Sequence, residues 1–206
     1  MNHLIVRWTT VLVCSLMAAC SSAPKEDLSK VTVKSQLSQA ETRAWLLEKE
    51  SALRDSIKGS PFTLHQQDSV WVVTAPAQQS FNPDRPGLLL PAVLAPITRI
   101  AKLMEADTDS SVLILGHTAD SKDNKANQKL STDRARSVAS IFRLSGLSSG
   151  RMTHLGMGSA YQLAQVKNTS QHHRVEIIIM PNLAVRGVMA EYRPAYVRQL
   201  ALSQAD

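Results

Sequence analysis

"GHTADSKDNKANQKLSTDRARSV", residues 116–138, passes from the end of an apolar run through a polar turn into a segment with helical spacing. On that helix Arg134 falls four residues after Leu130 and four before Val138, so it leaves from the apolar stripe. A guanidinium placed there needs an anion, because an unpaired buried charge costs several kcal/mol. Two sources are open. One is a carboxylate of the chain itself, such as Asp120 or Glu176; the other is an anionic ligand held by the planar, two-point grip that arginine offers a carboxylate.

Outward from this stretch the pattern is regular. Upstream, "SVLIL" (111–115) reads as a buried strand, and Asn127 to Leu144 reads as a helix with Leu130, Val138, Ile141 and Phe142 inward. "PAVLAPITRIAKLME" (91–105) has helical spacing, with Pro96 requiring the helix to start near it or bend there. "PFTLHQQDSVWVVTAP" (61–76) predicts a hairpin turning at Gln66 to Ser69, and "FNPDRPG" (81–87) breaks it. "RMTHLGMG" (151–158) and "RVEIIIM" (174–180) supply two more strands. The order β-β-α-β-α-β-β implies an α+β fold, a two-layer α/β sandwich with its helices on one face of a mixed sheet.

The flanks extend this domain. Residues 35–59 predict a helix with Val33, Leu37, Ala40, Ala44 and Leu47 on one stripe and Leu46, Leu53 and Ile57 on a second, stopped by Gly59 and Pro61. It either docks on its own domain or serves as a partner-binding arm. Residues 182–206 add a C-terminal helical extension, with Tyr196, Val197, Leu200 and Ala201 at helical spacing, expected to fold back on the sheet.

Residues 1–19 hold one basic residue, Arg7, then an apolar run from Trp8 to Met17 and the pair Ala18 and Ala19. The run is shorter than the roughly 20 residues a spanning helix needs, and it reads as an export signal. Small residues followed by Cys20 resemble the lipobox of bacterial lipoproteins, which implies cleavage before Cys20 and acylation of its thiol. Ser21, where an aspartate would mark retention, implies delivery to the outer membrane. Residues 20–34 then serve as anchor and spacer. Cys14 would leave with the signal, so no disulfide framework is available.

Composition excludes other classes. An apolar fraction of 44% with 19% charged residues suits a folded core, and a formal charge of +6, spread along the chain, does not imply nucleic acid. Neither a catalytic set nor a cofactor fingerprint is visible: Ser131 has no histidine placed as its base, and "GMG" (156–158) lacks the rest of a dinucleotide motif. His172 and His173 would point to opposite faces of a strand, and with His154 they lack zinc-ligand spacing.

"GHT" (116–118), Asn127, "LS" (130–131), "RA" (134–135), Gly146, Arg151, "GMG" and "RVE" (174–176) together resemble the OmpA C-terminal-like domain, over residues 62 to about 180. The domain is assigned here to 60–181. The resemblance implies non-covalent binding of peptidoglycan through the diaminopimelate of its stem peptide, with an aspartate after "GHT" on the ammonium and the arginine of "LSxxRA" on the carboxylate. Carried over, the ligand-binding set is Thr118, Asp120, Asn127, Arg134, His173 and Arg174. Three positions depart from the pattern. Ala119 stands where the aspartate belongs, with Asp120 next door as its substitute; Lys122 replaces the glycine of the turn; and His173 replaces an arginine. The functional expectation is therefore a non-catalytic outer-membrane lipoprotein scaffold, joined to peptidoglycan through Arg134. The alternative is an accessory subunit of an envelope-spanning machine such as a secretion system, binding protein partners.

Overall fold

The computed structural model describes residues 38–205 except 165–168, so the leader, the lipidation position Cys20 and the spacer lie outside the described residues. A five-stranded mixed sheet has the order β1-β2-β5-β3-β4, formed by β1 (Thr63–Gln67), β2 (Val70–Pro76), β3 (Ser110–His117), β4 (Met152–Gly156) and β5 (Arg174–Pro181). β1–β2, β2–β5 and β5–β3 are antiparallel, and β3–β4 is parallel. The hairpin turns at Asp68 in the left-handed region, as the sequence predicts for that segment.

On one face lie α1 (Gln39–Ile57), α3 (Pro91–Ala106) and α4 (Asn124–Leu144), while the short α2 (Ala77–Ser80) leaves the end of β2. Val73, Ile114 and Ile177 of the sheet meet Leu53, Ile100 and Phe142 of these helices in one apolar core. The helix α3 begins at Pro91, where a missing N–H costs nothing, and continues through the buried Pro96 to Ala106 rather than starting at Pro96. This face matches the two-layer expectation. The C-terminal α5 (Val185–Ala205) covers the opposite face, packing Tyr192 with Leu113, Leu115 and Ile178, so the extension adds a third layer to a sandwich expected to carry helices on one side only.

The stripe chosen for α1 requires a similar correction. Ser38 caps the helix in a capping box with Glu41, so it begins at Gln39, and the face that packs is the second stripe: Leu46 and Leu53 are buried, whereas Leu47 is 65% exposed. The sheet decides this, because the buried Trp71 indole donates to Leu46 O at 2.9 Å and Lys49 pairs with Asp107 at 2.9 Å. The helix is docked on its own domain.

Close approach of α4 to the sheet rests on two glycines. A Cβ on Gly116 would lie 2.0 Å from Ser131 O, and one on Gly156 would lie 2.5 Å from Thr132 N. No side chain fits at either point. The middle of α4 therefore sits directly over the ends of β3 and β4, which brings Thr118, Asn127 and Arg134 to one end of the molecule.

Candidate functional site

Strand alternation sorts the predicted residues onto two faces. Gly116 shares a face with Val175, which belongs to the core beneath α4; His117 is paired with Arg174 and, like Leu115 and Glu176, belongs to the face beneath α5. The sequence-predicted set is thus divided by the sheet.

On the α4 side stand Thr118, Asn127, Arg134 and His173. Asn127, Ser131 and Arg134 follow one another at helical spacing along the buried face of α4. Ser131 donates to Gln128 O and accepts from Gly158 N–H at 3.0 Å, which ties the loop after β4 to the helix. Arg134 is 7% exposed. Its Nε donates to Pro86 O at 2.9 Å and its guanidinium carbon lies 5.3 Å from the centre of the Phe81 ring. Nη1 is buried without a hydrogen-bond partner, as are Thr118 Oγ1 and Asn127 Nδ2. Burial lowers the guanidinium's pKa to about 10, so it remains charged at neutral pH.

Neither carboxylate considered for Arg134 takes it. Asp120 is exposed; its Oδ1 accepts from Lys122 N–H at 3.1 Å, and its side chain lines a cleft of about 410 Å³ with Arg198 and Gln199 of α5. Glu176 lies on the other face of the sheet. Among the described residues, no carboxylate forms an ion pair with Arg134.

Asp120 is occupied by the turn. Lys122 has φ +64°, the left-handed conformation that a glycine adopts at no steric cost, and the Asp120 carboxylate bonded to its N–H supports it. Asp123 caps α4 by accepting from Ala126 N–H at 2.8 Å, and the Ser121 hydroxyl donates to Asn127 Oδ1 at 2.9 Å. Asp120, Ser121 and Asp123 therefore each have a local task.

His173 joins the group from the other side. It precedes β5, after a 3-10 turn ending at His172, so the expected strand-like opposition of the two histidines is replaced by a turn. Its Nδ1 accepts from Ala119 N–H at 3.3 Å, which leaves the ring proton on Nε2. Burial first, then the charges of Arg134 and His172, lower its pKa, so the imidazole is a neutral donor. Arg174, by contrast, is taken up internally. Its Nε donates to Glu176 Oε1 at 2.7 Å and its Nη atoms donate to the carbonyls of Tyr161 and His172. His117 Nε2 lies 3.2 Å from Glu176 Oε2, and burial lowers the His117 pKa. Glu176 sits at about 2: burial opposes that value, and His117 and Arg174 together override it.

Two participants escaped the sequence reading. Phe81 and the carbonyl of Pro86, in a segment read only as a strand breaker, form the wall against which Arg134 packs. Asn82 Oδ1 shapes that loop by accepting from Asp84 and Arg85 N–H, and Ser137 Oγ donates to Gly87 O at 2.6 Å. An asparagine followed by two prolines and a glycine signals such a turn, but not which helix it meets.

Residues 80–176 match the model of the OmpA family. The chain is 27% identical over 135 residues to "Probable lipoprotein YiaD" of Escherichia coli K12, covering 64% of this chain and 61% of that protein. It is 36% identical over 86 residues to "Outer-membrane lipoprotein YfiB" of Pseudomonas aeruginosa, covering 40% of this chain and 51% of that one. The chain thus spans between half and two thirds of these relatives. In fold it is similar to the cell wall anchor of the T6SS from Pseudomonas aeruginosa, with TM-score 0.52 and 24% identity over 64% of this chain and 96% of that one. Among the described residues no helix is long and apolar enough to cross a membrane.

Proposed function

We propose, from the premise that residues 80–176 form an OmpA-like domain, that this chain is an outer-membrane lipoprotein whose periplasmic domain is a non-catalytic scaffold binding a peptidoglycan stem-peptide carboxylate through Arg134. The carrying observation is that Arg134 is a buried cation with no carboxylate partner among the described residues and an unpaired Nη1. Such a charge is costly unless an anion reaches it, and a bidentate carboxylate suits the guanidinium fork. Thr118 Oγ1 and Asn127 Nδ2, buried and unpaired on the same side, and the His173 Nε2–H supply further donors. All three unpaired atoms are closed to solvent, so the groups over them must yield for a ligand to enter.

In this reading residues 1–19 are removed, Cys20 is acylated and residues 20–34 span from the membrane to the domain. The test is retention of the detergent-solubilised chain on purified sacculi, with soluble muropeptides from the same sacculi as competitor. Retention that is competed, and is lost in Arg134→Met, is expected. Absence of retention, with envelope proteins co-purifying instead, would replace this reading by that of an accessory subunit.

A further inference from the structure

The groups left free in the site share one character: they are donors or cations. Arg134 Nη1, Asn127 Nδ2 and the His173 Nε2–H can only donate, and Thr118 Oγ1 can do so. Three acids of the adjoining turn and helix are engaged elsewhere. Asp120 supports Lys122 and faces the cleft beside α5, Asp123 caps α4, and Asp133 pairs with Lys129 and Arg136 on the outer side of the helix. Two uncharged groups touch the set. Ala119 offers a methyl group and an N–H already given to His173, and Phe81 offers the ring that packs on Arg134.

A carboxylate entering this set is matched, but an ammonium beside that carboxylate is not. It would be desolvated next to the Arg134 guanidinium with none of those three acids directed to it, whereas an acylated nitrogen carries no charge and presents an amide whose carbonyl can accept from the same donors. We infer that the site selects a carboxylate whose neighbouring amine is acylated, as in a cross-linked stem peptide, over a zwitterionic end carrying a free amine. The inference rests on the carboxylate-binding reading above and concerns which carboxylate is chosen. Ala119 is the specificity-determining position: its N–H meets His173, so an aspartate there would add a negative charge beside the donor set.

The experiment is calorimetric titration of the full chain in detergent with di-N-acetyl-diaminopimelate and with free diaminopimelate, for the native sequence, Ala119→Asp and Arg134→Met. The native chain is expected to bind the acylated compound about tenfold more tightly, the scale of one unpaired polar group. Ala119→Asp is expected to reverse the order while its thermal transition stays in place, and Arg134→Met to bind neither. Equal affinities, or preference of the native chain for the free diamine, would overturn the selectivity while leaving Arg134 binding intact. Failure of both compounds to bind, with native and Arg134→Met indistinguishable, would overturn the parent reading and the selectivity with it.

Discussion

Arg134 and Arg174 are both buried arginines at the same end of one sheet, yet they sit on opposite faces and in opposite electrostatic states. Arg174 beneath α5 meets Glu176 and backbone carbonyls from its own chain; Arg134 beneath α4 meets one carbonyl and an aromatic ring. The first arrangement is self-sufficient, and removing one member leaves a buried charge exposed to its own desolvation cost. The second retains unused bonding capacity where water is excluded. Burial alone would assign both residues to structure. The difference in partners separates them: Arg174 is satisfied within the chain, and the unused capacity of Arg134 is what the proposed binding role rests on.

Three perturbations of stability and one of the turn would break or sharpen this contrast. The largest effect belongs to Arg174→Met, which strands Glu176 and is expected to cost about 3 to 5 kcal/mol in urea denaturation. The double variant Arg174→Met with Glu176→Gln should recover part of that loss, and no recovery would mean that Arg174 acts through the loop carbonyls instead.

Acid should unfold the protein from the Arg174 side. The Glu176 carboxyl, at about 2 in the folded chain against an ordinary 4.5, contributes stability that is present above its unfolded value and lost as pH falls through that interval. His117, held neutral by burial, acts in the same direction from its ordinary value of 6.5 downward, because the unfolded chain takes up the proton first. A thermal-melt series from pH 7 to pH 3 should therefore fall throughout, and the Glu176→Gln variant should flatten its acid end. A curve unchanged by that variant would remove Glu176 from the account.

Arg134→Met should change stability by no more than about 1 kcal/mol in either direction, since an apolar side chain of similar length no longer has to bury a charge there. A loss as large as that of Arg174→Met would make the two arginines equivalent and place Arg134 in the structural class. The smallest effect is expected from Lys122→Gly. Relief of the left-handed φ should add about 0.5 to 1 kcal/mol, unless the greater freedom of glycine in the unfolded chain cancels it; the same urea titration measures the sign.

Much of the domain was legible because local patterns agree with one another. The β-branched and aromatic residues around a polar turn in residues 61–76, the apolar run before Gly116 and the helical spacing from Leu130 to Phe142 each correspond to an element at that place. The N-terminal helix was harder, since two apolar stripes compete along it, and only the Trp71 indole reaching Leu46 O shows which one faces the core. Among the candidate site residues, Thr118, Asn127, Arg134 and His173 gather on one side. Asp120 and Arg174 were close in sequence but were directed elsewhere, one by its own turn and the other by the period of a strand.

The sequence by itself determined that Arg134 turns inward, because residues four apart share a helical face and its neighbours at that spacing are Leu130 and Val138. It also determined that no aspartate follows Thr118. Only the tertiary structure decided which carboxylates reach which arginine, and that the C-terminal helix closes the second face of the sheet. Charge pairing depends on distances between segments far apart in the chain, and the packing of β5 against β3 and of α4 over β3 and β4 sets those distances.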